Sequence, residues 1–517
     1  MPKFTPEMFD ERRRLREQFP TLPLAFSSGG PRAHLVGPLG GGLVLGRLVV
    51  VDVDEGDPLV GQVQSLDLAE GSFGEVEASV QLGPDSGEVR TSRKGPAVRF
   101  VAGEILLLGC LSQGAFGGTV PLGGFGESAY RGATDDETRL VLEALAGSQA
   151  TFEIGSLLGG GGVAARLKAT GFSRHTFLCG QSGSGKTYAT GVLLERLRLA
   201  TSLPVVIFDP NSDHVHLGEV RPDAAGEPNA EAYRSMGADV MVARARGRGG
   251  NQLLAIHYSD LEISGQTLLL GLDPTEDLDD YAAFRMASSS LPVPYSVGDV
   301  VAGAVALETP AGRQLATRIE NVGLAEWGLW CRPGEVSLVD SAPLDQPCAV
   351  FDLGSLDTPA ERVLVASAAL RLLWRRRDEK RPVLLVIDEA HNVFPARPGS
   401  KLEAAATDVG IALAAEGRKY GLHLLLASQR PSKVHANVVS QCDNLALLRV
   451  NSVADVDDLC RIFSHVPPDL IKQAPGFSLG QVLFAGPIAP VPLQASVGRR
   501  RLSPEGGADV PTDWAAQ

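Results

Sequence analysis

The sequence has few of the features that mark secreted, zinc-binding and membrane proteins. Its six cysteines form no C-x-x-C pair and show no metal-ligand spacing, so reduced thiols are favoured over disulfides or a zinc site. No apolar run approaches the length needed to span a bilayer, and the first residues lack the apolar stretch of a signal peptide. We therefore expect a cytoplasmic protein that does not associate with a membrane.

Positive charge is also scarce in this chain. Lys+Arg 47 against Asp+Glu 61 gives a formal net charge of −14. A chain this acidic does not attract DNA through its general field, because phosphates need local positive charge. Any contact with nucleic acid must therefore be focused, for example inside a pore. Basic clusters occur at 12–14, 375–377 and 499–501, and for each a solvated helix face or tail is the favoured interpretation.

The first 150 residues have the pattern of a separate N-terminal domain. Residues 7–19 indicate a short charged helix at its start. Between residues 35 and 111, short β-rich runs alternate with glycine-rich and acidic turns. Several short strands separated by turn signals are typical of a small β-barrel or sandwich. We predict a barrel-like domain over residues 1–150.

Two stretches have the composition of connecting or terminal segments. Residues 151–170 contain four consecutive glycines at 159–162, which predicts a flexible linker. Residues 498–517 are polar and predict a C-terminal tail.

Residues 171–497 have the alternating pattern of an α/β domain. Short apolar runs that follow one another between helical segments predict a buried parallel sheet with helices on both faces. This rhythm stops between residues 213 and 345, where we predict a mainly helical insertion. The predicted strands are Thr176–Cys179, Pro204–Phe208, Ala349–Asp352, Val383–Ile387, His423–Ala427 and Asn444–Arg449.

The strongest local signal is a phosphate-binding loop, which matches G-x-x-x-x-G-K-[ST] completely. An apolar strand precedes the loop and a helix follows it, so backbone N–H groups can converge on phosphates at a helix N-terminus. We expect Lys186 to reach the β- and γ-phosphates of ATP and Thr187 to ligate Mg²⁺. The predicted nucleotide-binding residues are Gly180, Gln181, Ser182, Gly183, Ser184, Gly185, Lys186 and Thr187.

A second signal is the apolar run Val383–Ile387, which ends in two acids. A buried strand would deliver these carboxylates to the carboxyl edge of the sheet, where α/β proteins bind ligands. We expect Asp388 to hold Mg²⁺ through water and Glu389 to polarise the attacking water. The letters DEAH at 388–391 also spell a helicase box, but we interpret His391 as a packing or loop histidine.

Further candidates lie at the ends of other predicted elements. Gln429 follows the strand after the acidic pair and is a candidate γ-phosphate sensor, with a simple turn residue as the alternative. Asp209 and Asp213 also fall at a strand end, where they could order the water shell of the metal or form a structural turn.

Two arginines are candidates for the positive charge that speeds phosphoryl transfer. Arg418 lies at the end of a predicted helix, where it could face a neighbouring subunit and act there in trans. Arg174 lies just before the strand that leads into the phosphate-binding loop. For each arginine, an ordinary surface residue is the competing interpretation.

Taken in order, the motifs resemble the HerA family of hexameric ATPases, which belongs with the FtsK-type DNA pumps. The resemblance covers about residues 169–493 and implies a RecA-like P-loop core, while the β-rich segment before it fits the barrel of that family. One departure is the pair Asp213–His214, where the family often has an acid followed by an aromatic residue. The motifs that carry the resemblance are VVIFDPNSDH, FDLGSL, VIDEAH, EGRKYG and ASQRP, which follow the phosphate-binding loop in that order.

The resemblance also implies roles for individual residues. Lys186, Thr187, Asp388 and Glu389 carry the ATP and Mg²⁺ roles already expected from the motifs. Gln429 matches the sensor position of the family. Arg418 matches its trans-acting arginine, and Arg174 matches a second arginine just upstream of the loop.

Two functions from different classes remain open at this point. The first is a homo-oligomeric ring, in this family a hexamer, that moves double-stranded DNA and works with a NurA-like nuclease. The alternative is an ATPase scaffold that activates a sirtuin-like or nuclease effector in an antiviral defence complex. A conjugation or secretion ATPase is a weaker third possibility, because no membrane anchor is visible.

Overall fold

The computed structural model describes residues 23–39, 42–54, 56–72, 97–118, 120, 123–339, 345–498 and 502–504. The helix predicted for residues 7–19 and most of the tail predicted for 498–517 lie outside these residues.

The N-terminal strands close into a small barrel, as the sequence predicts. They are hydrogen-bonded in the order β2-β1-β7-β3-β4-β5-β6, and β2 also pairs with β5, so the sheet closes on itself. Val49 and Val51 point into the barrel, whereas Val50 between them packs outside against the helix that follows. The strands are β1 (Leu24–Ser27), β2 (Arg32–Pro38), β3 (Leu48–Asp52), β4 (Leu59–Ser72), β5 (Ala97–Ser112), β6 (Ala115–Gly117) and β7 (Phe125–Gly132).

A second, larger sheet of 12 strands forms the body of the molecule, in the order β13-β12-β14-β11-β15-β16-β10-β17-β18-β19-β8-β9. Neighbouring strands from β13 to β17 are parallel, and those from β17 to β9 are antiparallel. The strands are β8 (Thr151–Leu157), β9 (Ala164–Lys168), β10 (Thr176–Cys179), β11 (Val205–Asp209), β12 (Val240–Arg244), β13 (Gln252–Leu253), β14 (Cys348–Asp352), β15 (Val383–Ile387), β16 (Leu422–Ser428), β17 (Asn444–Leu447), β18 (Gln481–Ala485) and β19 (Leu493–Ser496).

Helices cover both faces of the parallel part of this sheet, which confirms the predicted α/β class. On β10, Leu178 faces one helical layer while Phe177 faces the other, because successive side chains on a strand point to opposite faces. The helices are α1 (Asp135–Ala146), α2 (Lys186–Ala200), α3 (Ala230–Ser235), α4 (Ile263–Leu269), α5 (Leu278–Ser289), α6 (Val297–Ala306), α7 (Pro310–Val322), α8 (Pro359–Arg375), α9 (Lys401–Glu416), α10 (Ala436–Val439), α11 (Val453–Ile462) and α12 (Pro468–Ile471). None of these helices is both long and apolar enough to cross a membrane.

The segment 151–170, predicted as a linker, is instead largely a β-hairpin that extends the large sheet. Strand β8 pairs with β19 and with β9. Phe152 and Ile154 on β8 are buried, as is Leu167 on β9, so the segment carries the period-2 pattern of a strand pair. The glycines at 159–162 form the turn, and three of them have positive φ. The linker was predicted from the glycine run alone, without the alternating apolar residues on either side of it.

The segment 213–345 is mainly helical but also contributes to the sheet. Helices α5, α6 and α7 pack around their own apolar core, which includes Phe284, Val300 and Leu315. Strand β12, however, lies in parallel register on β14 and buries Val240 and Ala243. The predicted mainly helical insertion therefore also supplies strands β12 and β13 to the large sheet.

The last described residues, 502–504, are anchored on the helix that follows the phosphate-binding loop. Glu195 on α2 is fully buried and accepts hydrogen bonds from the backbone N–H of Leu502 at 2.8 Å and of Ser503 at 2.8 Å. The Ser503 hydroxyl donates a third at 2.6 Å. Leu502 packs against Tyr233 in a small apolar cluster. Part of the predicted polar tail is thus a fixed element of the domain.

We expect Glu195→Ala to lower the melting temperature by about 4–10 °C. The change removes the acceptor of buried donors, and each orphaned donor costs about 1–3 kcal/mol. Glu231→Ala, which removes an exposed carboxylate from the neighbouring helix α3, is the matched control and should melt like the unmodified protein. Calorimetric melting curves of the two variants make the comparison, and equal melting temperatures would contradict the anchoring role.

Candidate nucleotide-binding site

The phosphate-binding loop joins β10, an inner strand of the sheet, to the N-terminus of α2. Gly183 and Gly185 have φ values of 73° and 88°, which glycine adopts without steric cost. At Gly180 an added Cβ would lie 2.8 Å from the Cβ of Leu448, so a side chain is excluded there. The glycine pattern is therefore required by this backbone, and the loop places N–H groups at the start of a helix.

Lys186 and the two predicted acids share one buried cleft. The Lys186 Nζ lies 2.6 Å from Asp388 Oδ1 and 3.1 Å from Glu389 Oε1. Burial alone would lower the pKa of Lys186, but the two carboxylates outweigh it and raise this pKa above its usual value. Burial likewise favours the neutral form of Asp388, yet Lys186 and His214 hold its pKa below the usual range. The cleft therefore holds a charged lysine against ionised acid.

The carboxyl ends of β11 and β15 bring oxygen ligands together beside the loop. Carboxylate oxygens of Asp209, Asp213 and Asp388 lie within 4.8 Å of one another in the described part of the chain. The Thr187 hydroxyl is 3.5 Å from Asp213 Oδ2. Among the described residues, the buried Oδ2 of Asp388 has no hydrogen-bond partner, although such oxygens are normally satisfied. Oxygen donors of this kind fit Mg²⁺, which prefers carboxylate, hydroxyl and water ligands.

Asp209 and Asp213 differ in their other hydrogen bonds. Both oxygens of Asp209 accept backbone N–H bonds, from Asn211 and Asp213 at Oδ1 and from His214 at Oδ2. Burial raises the pKa of Asp209 to about 6 and also raises that of Asp213. Asp209 thus fixes the turn that presents Asp213, and a bound cation would favour the ionised form of both.

Glu389 is held in an uncommon backbone conformation at the end of β15, with φ of 44°. The Gln429 amide donates to Glu389 Oε1 at 2.9 Å, so the predicted sensor contacts the predicted catalytic acid. His391 Nδ1 lies 3.3 Å from Glu389 Oε2 and 3.4 Å from the Ser428 hydroxyl. Burial lowers the pKa of His391 and favours its neutral form. His391 is therefore a site residue that sequence reasoning set aside, although its position two residues after Glu389 was a usable signal.

Comparison with known proteins finds relatives among helicases. The family model described as the central domain of helicase HerA matches residues 152–287. The DNA double-strand break repair helicase HerA of Pyrococcus furiosus is 23% identical over 449 residues, which cover 74% of this chain and 76% of that protein. The chain is thus similar to HerA-family ATPases, both in this central region and, at 23% identity, over most of its length.

Other relatives match over shorter stretches. A probable helicase of Methanocaldococcus jannaschii is 27% identical over 158 residues, so the match spans only 30% of that protein. Among solved structures, VirB4 of Thermoanaerobacter pseudethanolicus is 16% identical, with a TM-score of 0.46 over 71% of this chain and 98% of that one.

The two arginines matched to the HerA family lie away from this cleft. Arg174 comes just before β10, and Arg418 lies in the single turn before β16, so both are at the amino edge of the parallel strands. The phosphate-binding loop is at the carboxyl edge, and the stretch from 174 to 180 spans roughly 20 Å at about 3.3 Å per residue. The structure therefore brings Lys186 and Glu389 together, and Gln429 with them, but separates both arginines from them.

Proposed function

We propose that the chain acts as a ring-forming, ATP-driven translocase of double-stranded DNA. The observation that carries this proposal is the position of Arg418 and Arg174 at the sheet edge opposite the nucleotide site of the same chain. An arginine there can contact a triphosphate only when the amino edge of one subunit faces the cleft of the next. A ring repeats that contact at each interface and links hydrolysis in one subunit to its neighbour.

Within each nucleotide site, the described contacts support a separate role in ATP hydrolysis for each residue. Lys186 exchanges its carboxylate partners for the β- and γ-phosphates when ATP binds, which frees Glu389 to orient the attacking water. Gln429, now hydrogen-bonded to Glu389, reports whether the γ-phosphate is present. Thr187, Asp388 and Asp213 are the residues that would hold Mg²⁺, which neutralises charge on the phosphates.

The choice of DNA as the substrate is supported by the names of the curated relatives, several of which are DNA double-strand break repair helicases. We further propose that a partner nuclease cuts the DNA that the ring moves.

An acidic chain needs a local source of positive charge to hold DNA, and two neighbouring loops at the carboxyl edge provide one. Pro395 and Val434 form an isolated β-bridge between the loops that follow β15 and β16. Arg397 and Lys433 lie close to this bridge and are exposed. Within the described residues neither makes an ion pair with an acid, so both charges are available to phosphates.

We expect duplex DNA to raise the ATP turnover of the unmodified protein at least severalfold, and Arg397→Ala/Lys433→Ala to lose much of that increase. The variant should also bind DNA with a weaker salt dependence, by roughly one unit of slope per lost phosphate contact. ATPase assays with and without duplex DNA, and binding titrations over a range of salt concentrations, measure both effects.

The matched control removes two exposed arginines elsewhere, Arg234→Ala/Arg285→Ala, and should keep both the stimulation and the salt slope. If DNA leaves turnover of the unmodified protein unchanged and no translocation is seen, the translocase proposal is wrong. Activation of a purified sirtuin-like or nuclease effector without DNA movement would then favour the scaffold alternative.

A further inference from the structure

Arg174 and Arg418 both form an ion pair with the same acid, Asp443, which belongs to no recognised sequence motif. The Nη1 atoms of Arg418 and Arg174 lie 2.7 Å and 3.3 Å from the same oxygen, Oδ2 of Asp443. Asp443 immediately precedes β17, which pairs with β10 on the side opposite β16. Three adjacent strands thus contribute one residue each to a single cluster at the amino edge.

The backbone beneath this cluster is fixed by buried hydrogen bonds. The N–H of Asp443 donates to the carbonyl of His175 at 3.1 Å. The fully buried Asn444 donates from its amide to the carbonyls of Gly171 and Arg174 and to the Thr176 hydroxyl. The start of β17 is therefore bound to the chain on both sides of Arg174, and Asp443 has a defined position.

A second set of buried contacts ties the same point to β16. The ring of His175 is buried, and its Nδ1 accepts a hydrogen bond from the N–H of Leu424 at 2.9 Å. Its Nε2 lies 3.1 Å from the carbonyl of Ala414, near the end of the helix that leads to Arg418. Burial lowers the pKa of His175 to about 4, which keeps this ring neutral and suited to accept from a backbone N–H.

The three charged groups, in contrast, are partly open to solvent. The side chains of Arg418, Asp443 and Arg174 are 36%, 43% and 49% exposed. A surface ion pair of this kind contributes only about 0–1 kcal/mol to stability. A contribution to stability therefore does not explain why buried hydrogen bonds fix the backbone beneath these three residues. One carboxylate between two guanidinium groups also leaves the cluster with a net positive charge, which suits contact with an anion.

We infer that Asp443 is a positioning residue that holds Arg418 and Arg174 side by side, so that both guanidinium groups meet the triphosphate of the neighbouring subunit together. The inference rests on the proposed trans role of these arginines. Two free guanidinium groups repel each other and would sample many rotamers, whereas donors fixed before the reaction stabilise developing charge without reorganisation. In this arrangement the phosphate oxygens share the arginines with Asp443.

The test compares Asp443→Asn with Asp443→Glu in the full-length ring. Asp443→Asn keeps the size of the side chain and removes its charge, so kcat should fall on the order of tenfold while KM for ATP changes little; this is less than the roughly thousandfold loss expected for a missing arginine. Asp443→Glu restores the carboxylate and should recover part of kcat. Asp458→Asn, which breaks an exposed ion pair with Arg461, is the matched control and should leave kcat unchanged.

A double-variant comparison separates positioning from a general structural role. In an Arg174→Ala/Arg418→Ala background, adding Asp443→Asn should cause no further loss, because the acid acts only through the two arginines. A further loss there, or normal kcat for Asp443→Asn alone, would overturn the inference. If Arg418→Ala itself leaves turnover intact, the proposed trans function fails instead, so the two failures are distinguishable.

Discussion

Mixing Arg418→Ala subunits with Glu389→Ala subunits is expected to restore ATP turnover that neither variant shows alone. The expectation follows from the geometry, because Glu389 lies in the nucleotide cleft while Arg418 lies at the opposite edge of the same sheet. At an interface where the Arg418→Ala subunit binds ATP and the Glu389→Ala subunit supplies its arginine, every required group is present. Each variant alone should lose turnover by about a thousandfold or more, the contribution typical of such arginines.

The measurement is the steady-state ATPase rate over a series of mixing ratios at constant total protein. The rate should pass through a maximum at intermediate ratios and stay below that of the unmodified protein, because only one kind of mixed interface is complete. Lys186→Ala mixed with Glu389→Ala is the matched control. Those two residues lie 3.1 Å apart in one cleft, so no interface regains both and no rescue is expected. Absence of rescue in the Arg418 series would leave that arginine with a role inside its own subunit.

Lys186→Ala should abolish ATP turnover and strongly weaken nucleotide binding while the protein remains folded. The ammonium group is the only cation in direct contact with both Asp388 and Glu389 among the described residues, and its loss leaves these two buried acids to repel each other and the phosphates. The pKa of Asp388, which Lys186 helps to keep low, should rise in the variant. We also expect a melting temperature several degrees lower, because breaking a buried ion pair leaves charge uncompensated.

Binding of a fluorescent ATP analogue, ATP turnover and circular dichroism together check this result. Lys472→Ala, which removes an exposed lysine paired with Asp469, serves as the control and should behave like the unmodified protein in all three assays. Normal hydrolysis by folded Lys186→Ala protein would contradict the assignment of the cleft.

Much of the parallel sheet could be predicted from the sequence because its strands are fully apolar and end in distinctive residues. The predicted strands Thr176–Cys179 and Val383–Ile387 agree with the structure residue for residue, and the others agree to within two residues at each end. A buried strand and the polar residues that follow it are adjacent in sequence, so Lys186, Glu389 and Gln429 could be assigned to one edge before their contacts were known. Their catalytic roles stay predictions.

Other features of the fold and of the site could not be predicted from the sequence, because they depend on contacts between distant parts of the chain. Asp443 meets Arg174 only because β17 pairs with β10 across 269 positions of sequence, and no local pattern marks it. His391 had a recognisable position, but its contacts with Glu389 and Ser428 come from the turn that follows β15. In 151–170 the glycine run signalled flexibility, while the partner that orders the hairpin, β19, lies more than 300 residues further along the chain.

The hairpin of β8 and β9 has a mechanical consequence. The hairpin belongs to the same hydrogen-bonded sheet as β10. The barrel is therefore coupled to the nucleotide cleft by ordered strands and not by a flexible linker. The contact between Gln62 of the barrel and the carbonyl of Pro492 braces the joint from a second side. A protein bound to the barrel is therefore connected to the nucleotide cleft through ordered, hydrogen-bonded structure. We expect movement at the cleft to reach the barrel, and a force applied to the barrel to affect the site of ATP hydrolysis.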